Sequence, residues 1–289
     1  MKKIIERLLV FTIGVPAAFV LVICLPFYHN LAMNIVTIFF SAMGAVEFSS
    51  MLEKKKIVIS KIESFILGAV IPLTFTLAIS LEVNAWIIPI LPMASAGWIL
   101  LSKVFSKSSE VEAITEQIIG KFSLLIYPGL FMCWIILMSA WENPAAILLL
   151  LFITFGNDSA AWLFGNLLGA NNRGIIPVSP NKSVAGFIGG LLGSVIIAVG
   201  AAIFFPQIFI YLNLEIPFFK MAIMAAILGL CTGITASLGD LAESAIKRSC
   251  DFKDSGNFML GRGGILDSID SVALAAPVFF LLFNIFFRV

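Results

Sequence analysis

The chain has 289 residues, of which 60% are apolar and only 12% charged, with 18 Lys+Arg against 17 Asp+Glu for a net charge of +1. Its mean hydropathy is +1.07. A water-soluble globule carries about twice that charged fraction, so a soluble domain, a disordered chain and a disulfide scaffold are excluded. Apolar runs of bilayer length in place of alternating ~10-residue strands point to an all-α, polytopic integral membrane protein.

In chain order, the basic stretch 1–7 precedes an apolar run too long for a signal-peptide core and without a small-residue exit before Pro26. The run is therefore read as a retained first helix. Nine spans are predicted: Leu8–Tyr28, Leu31–Met51, Ile62–Leu81, Ala85–Leu101, Phe122–Ala140, Pro144–Gly165, Val184–Pro206, Pro217–Leu238 and Ile269–Phe287. The breaks at His29-Asn30, Glu82–Asn84 and Trp141–Asn143 predict tight helical hairpins. With the N-terminus inside, 16 of the 18 Lys and Arg fall on the inner side and only Lys220 and Arg288 on the outer. Cytoplasmic loops carry the excess of basic residues, so the N-terminus is expected in the cytoplasm and the C-terminus outside.

Two parts are expected. Residues 1–143 hold N-terminal transmembrane helices with short loops. Residues 144–289 form a second transmembrane half with two polar inner loops, about Asn166–Ser183 and Gly239–Ser268. Loops on a rigid scaffold are where function concentrates. Cys24, Cys133, Cys231 and Cys250 show no metal-site spacing, and the three in apolar runs read as small buried hydrophobes. His29 is the sole histidine and is placed in an outer turn, so neither a Ser-His-Asp triad nor a His-ligated metal is available. Nothing in the charge balance marks a nucleic-acid partner.

Three places can carry chemistry. Asp158 lies inside the sixth apolar run, where a carboxylate is costly and a functional candidate. Glu47 also lies in a span, but near its inner end and close to Lys54–Lys56, where an interfacial acid that reaches water is expected. Ser179-Pro180-Asn181-Lys182-Ser183 places hydrogen-bond donors before a helix, which suits an anion and equally suits a helix cap. The glycines that follow, Gly186, Gly189, Gly190 and Gly193, are read as helix-packing residues. In the second loop, Asp240, Glu243, Ser244, Lys247 and Asp251 would share one face if the eighth helix runs past the membrane surface. Lys253-Asp254, the turn Gly261-Arg262-Gly263-Gly264 and Asp267…Asp270 follow. Acids that leave room for phosphate oxygens suit Mg²⁺, and Lys247, Arg248, Lys253 and Arg262 suit phosphate. The pattern predicts phosphate chemistry at the membrane surface. No Walker GxxxxGK[ST] is present.

The stretch Ser244-Ala-Ile-Lys247-Arg248-x4-Lys253-Asp254-x-Gly256…Gly263-Gly264-Ile265-Leu266-Asp267-x-Ile269-Asp270 resembles the signature of the phosphatidate cytidylyltransferases, or CDP-diacylglycerol synthases. Asp158…Gly165…Gly169…Ser179–Ser183…Gly186 resembles that family's second recurrent stretch. The resemblance implies transfer of CMP from CTP to phosphatidic acid, with Mg²⁺ as cofactor and the lipid bilayer as surroundings. It implies catalytic roles for Asp240, Asp267, Lys247, Arg248, Lys253 and Asp254. Metal ligation would fall to Asp240, Asp267 and Asp270. Substrate binding would fall to Asp158, Ser179, Asn181, Lys182, Ser183, Ser244, Arg262, Gly263 and Gly264. A homodimer and a bacterial inner membrane, with the site on the cytoplasmic side, fit the same family.

The chain departs from the pattern. Arg262 stands for the family's His, Ser268 for its Arg, Leu260 for a Pro or Gly, Met259 for a Leu, Ile or Phe, Ala185 for a Glu and Trp162 for a Tyr. Three other readings stay open at this level: a CTP-dependent polyprenol or phytol kinase, a transporter built around Asp158, and a family member that only binds lipid or a partner.

Overall fold

The computed structural model describes residues 12–104, 108–141, 143–210, 216–259 and 263–288. Among these the chain is helical throughout, with two isolated β-bridges and no strand. The helices are α1 (Thr12–Cys24), α2 (Phe27–Glu53), α3 (Lys61–Ser80), α4 (Ile90–Leu101), α5 (Ile114–Leu124), α6 (Phe131–Ser139), α7 (Ala145–Leu168), α8 (Val184–Phe204), α9 (Phe218–Ser249) and α10 (Leu266–Phe287). A π-turn, Leu125–Leu130, joins α5 to α6 in one apolar stretch, Val111–Ser139. Seven of the described helical stretches are long and apolar enough to cross a membrane, and α1 and α4 are shorter apolar helices.

These nine pieces correspond to the nine predicted spans, with differences at the ends. The fourth span resolves into a 3-10 turn, Ala85–Ile87, and the 12-residue α4. At 1.5 Å per residue such a helix reaches about 18 Å, short of the ~30 Å hydrocarbon core. The fifth span begins before Phe122, because α5 starts at Ile114 and carries Lys121 as a buried residue paired with Glu63 at 2.6 Å. Both predicted polar loops are shorter than expected, since α7 runs to Leu168 and α9 to Ser249. The break at His29-Asn30 is present as three left-handed residues, Tyr28, His29 and Asn30, with φ of 50–55°, and His29 is exposed.

The described chain divides into two compact units. One holds Met1–Glu142 and Lys247–Ile269, the other Asn143–Ile246 and Asp270–Val289. The segment Lys247–Ile269 thus packs with the N-terminal helices. In the first unit α3 starts with a side-chain cap: Ser60 Oγ accepts a bond from the Glu63 amide at 3.2 Å. The close approach of α2 and α3 depends on Gly68, where a Cβ would lie 2.5 Å from that of Ala45 and 2.7 Å from the Ser41 carbonyl.

In the second unit α7 and α8 interlock through small residues. A Cβ on Gly193 would lie 2.7 Å from the Ala160 Cβ, and one on Gly186 2.8 Å from the Ala161 carbonyl. These glycines are packing residues, as expected. Asn157 ties three helices together. Its amide donates to Ser194 Oγ at 3.0 Å and to the Gly233 carbonyl at 3.2 Å, and its carbonyl accepts from Ser237 Oγ at 3.0 Å. Of the three cysteines expected to be buried, Cys133 is buried and Cys231 half-buried, whereas Cys24 is exposed, because an apolar span needs no protein cover over a small hydrophobe.

Candidate active site

α9 continues past its apolar part, so Asp240, Glu243, Ser244 and Lys247 share a helical face. Glu243, Ser244 and Lys247 are buried and Asp240 is half-buried. Asp251 does not join them. The helix ends at Ser249, and Asp251 sits in a left-handed turn with φ of 61°. That turn is closed by the Phe252 amide on the Lys247 carbonyl at 2.9 Å and by Arg248 Nη1 on the Phe252 carbonyl at 3.0 Å.

The first unit contains a carboxylate held from several sides. Asp267 stands in the first turn of α10. Its Oδ2 accepts from the Gly264 amide at 2.7 Å, the Ser255 amide at 2.8 Å and Ser255 Oγ at 2.8 Å. Its Oδ1 accepts from the Lys247 ammonium. Oδ2 is therefore held by neutral donors, while Oδ1 faces the Lys247 ammonium. A charged acceptor at a helix N-terminus is favourable by about 0.3–1 kcal/mol or more when partly buried.

Glu47 of α2 joins the same cluster. It is 9% exposed. Its carboxylate accepts from the Ile265 amide at 3.0 Å, the Leu266 amide at 2.8 Å and Ser255 Oγ at 3.0 Å. The expectation of an acid reaching interfacial water does not hold. The amides at the start of α10, 218 residues downstream, supply the hydrogen bonds that water would have given. No local sequence signal marked this role; only the presence of a carboxylate in an apolar helix hinted at it.

Glycines make the cradle possible. Gly263 has a φ of +98°, and a Cβ there would meet Asp267 Oδ2 at 2.5 Å. A Cβ on Gly264 would collide with Ser255 Oγ and Glu47 Oε2, and one on Gly256 with Glu47 Oε1. Gly263 and Gly264, expected to touch substrate, are thus required by the carboxylates beside them. Met259 and Gly263 close the turn with a pair of backbone bonds of 2.8 and 3.2 Å. Arg262, within that turn, lies outside the described residues. Ser268 donates to the Gly264 carbonyl at 3.1 Å. Lys253 and Asp254 are exposed beside the cradle.

The second unit holds a second lysine–aspartate pair. Lys182 Nζ lies 2.6 Å from Asp240 Oδ2, with about a third of each side chain exposed. Ser183 is the N-cap of α8 and accepts from the Gly186 amide at 3.0 Å. The donor cluster around Pro180 therefore works partly as a cap, while its lysine engages an acid. Ser179 is half-buried and Asn181 exposed, and Asp158 is half-buried next to the Asn157 hub. Asp270 is buried one turn into α10, where its carbonyl lies against Gly239.

Among the described residues no group of three or more His, Cys, Asp or Glu forms a ready-made metal cage. The donor set suits Mg²⁺ all the same, because that ion is held by one or two carboxylates together with substrate phosphates. In the first unit Asp267 offers one such oxygen, Oδ1, on Lys247; in the second Asp240 offers one on Lys182.

A family model described as "Cytidylyltransferase family" matches residues 5–286. The chain is 36% identical over 151 residues to the uncharacterized protein YnbB of Escherichia coli K12, a match covering 51% of this chain and 46% of the relative. It is 38% identical over 135 residues to a phosphatidate cytidylyltransferase of Bacillus subtilis, covering 46% and 45%. In these two matches the chain spans about half the length of the relative. A phosphatidate cytidylyltransferase of Chlamydia pneumoniae is 31% identical over 269 residues, covering 87% of this chain and 82% of the relative.

Proposed function

Because the chain belongs to the cytidylyltransferase family, we propose that it transfers CMP from CTP to phosphatidic acid at a membrane surface, giving CDP-diacylglycerol and pyrophosphate. A phosphate oxygen of phosphatidate attacks the α-phosphorus of CTP. The bond from that phosphorus to the bridging oxygen breaks, and pyrophosphate leaves with the electron pair. The nucleophile is already anionic near neutral pH, so a histidine base is not needed. The site must position the reactants in line and offset their charge.

The observation that carries this reading is the Asp267 cradle, with one oxygen locked by three donors and the other on Lys247. In the proposed reaction Lys247 leaves Asp267 for a phosphate, and Lys182 leaves Asp240 in the same way. Arg248 and Lys253 add positive charge, with Asp254 beside them. Asp158, Ser179, Asn181 and Ser244 line the substrates. Asp240 and Asp267 would hold Mg²⁺, with Asp270 as a further acid, and the ion would offset triphosphate charge when bound. The 16:2 basic asymmetry supports a cytoplasmic site. The bacterial relatives support a bacterial inner membrane. A homodimer is part of the same proposal.

The test is pyrophosphate release by the purified chain in detergent with Mg²⁺, CTP and phosphatidate. Pyrophosphate and CDP-diacylglycerol in equal amounts are expected. CDP with a phosphorylated lipid alcohol would replace this reading with a CTP-dependent kinase, and no turnover of either kind would overturn both.

A further inference from the structure

Glu47 is absent from the stretches that carry the family resemblance, yet it makes three hydrogen bonds to the cradle. Its partners are two backbone amides at the N-terminus of α10 and the Ser255 hydroxyl. A carboxylate this buried is costly unless donors compensate it, and here the start of α10 compensates it. Ser255 Oγ lies 3.0 Å from Glu47 Oε2 and 2.8 Å from Asp267 Oδ2. One hydroxyl proton stands between the two carboxylates, and the Asp267 amide donates back to that oxygen at 3.2 Å.

The consequence concerns Asp267. An acid in the first helical turn is itself a natural partner for the unsatisfied amides there. With Glu47 already on the Ile265 and Leu266 amides, Asp267 bonds only the Gly264 and Ser255 amides, through Oδ2. Its Oδ1 is left directed at Lys247. Removing Glu47 would leave two buried amides in want of an acceptor, and the nearby carboxylate able to serve them is that of Asp267.

We propose that Glu47 is a positioning residue: it caps α10 so that Asp267 Oδ1 stays available to a cation. The inference rests on the proposed role of Asp267 in phosphate chemistry. Gly256 and Gly264 belong to the same device, since a Cβ on either would displace the Glu47 carboxylate.

The experiment compares wild type with Glu47→Gln, which keeps the shape but turns an NH₂ group toward backbone donors. Supporting residues of this kind change metal affinity or activity by about 10- to 100-fold. Glu47→Gln is expected to lower kcat and raise half-saturating Mg²⁺ within that range, with KM for phosphatidate changed less than about twofold. Amide hydrogen exchange over 264–268 is expected to quicken, a readout independent of turnover. Half-saturating Mg²⁺ does not depend on the amount of folded enzyme, so it separates positioning from stability. Faster exchange with an unchanged Mg²⁺ requirement would make Glu47 a structural cap only and overturn the inference, as would no change in either. If Glu47→Gln does not fold, the same criteria apply to Glu47→Asp, which keeps the charge one methylene short of the amides. A wild type that releases no pyrophosphate defeats the proposed function itself, whereas an active wild type matched by Glu47→Gln defeats this inference alone.

Discussion

Lys182 Nζ rests 2.6 Å from Asp240 Oδ2, with about a third of each side chain exposed. Such a partly solvated pair contributes only about 0–1 kcal/mol to stability. In the proposed function this lysine, one residue before the α8 cap, serves phosphate binding and not stability. Lys182→Ala is therefore expected to leave the thermal unfolding midpoint within a few degrees of wild type while lowering pyrophosphate release by about 10-fold or more. Loss of both together, in proportion, would mark Lys182 as structural.

The Lys247–Asp267 pair is buried and answers differently. Removing one partner of a buried pair costs about 3–5 kcal/mol where nothing else compensates the charge left behind. Asp267 keeps three neutral donors when Lys247 is gone. Lys247→Met is expected to fall below that range, at about 1–3 kcal/mol, and to abolish most activity. Asp267→Asn is expected to abolish activity as well. Thermal unfolding in detergent, alongside the pyrophosphate assay, checks both.

Gly264 offers a steric test. Its missing Cβ is the space occupied by Ser255 Oγ and Glu47 Oε2. Gly264→Ala is expected to behave as an overpacking change costing about 1–3 kcal/mol and to lower activity further than its loss of stability explains. Gly97→Ala, at a glycine with open space around it, is the matched control and should be near neutral.

Arg262 stands where the resembled signature has His, and Ser268 where it has Arg. The Ser268 hydroxyl is engaged by the Gly264 carbonyl at 3.1 Å and brings no charge. Arginine can hold a phosphate with two parallel bonds, which histidine cannot. Arg262→His is expected to reduce kcat/KM for CTP although it restores the family residue, and adding Ser268→Arg to recover much of the loss. Wild-type kcat/KM in Arg262→His would remove the compensation.

The basic residues set an expectation for orientation. A reporter active only in the cytoplasm should be silent when fused to the C-terminus and active when fused within the loop after α9. A signal from the C-terminal fusion would change the parity of the crossings. The shorter apolar helices α1 and α4 are then the segments to test for a missing crossing.

The helical membrane architecture was legible from apolar run length, because a segment in hydrocarbon must satisfy its own backbone and only about 20 apolar residues reach across. The polar stretch that carries the family resemblance was legible too, since acids and bases spaced beside apolar helices stand out against so little charge. Helix ends were less so: α9 carries Asp240 to Lys247 past its apolar part, and hydropathy does not register a helix once it turns polar. Glu47 stood out only as an acid in an apolar run, and Ser255 did not stand out. Their role exists only because α2 meets the start of α10 across more than 200 residues of chain. Burial turns an apparently interfacial acid into the acceptor for two backbone amides, and no local pattern encodes which distant amides those will be.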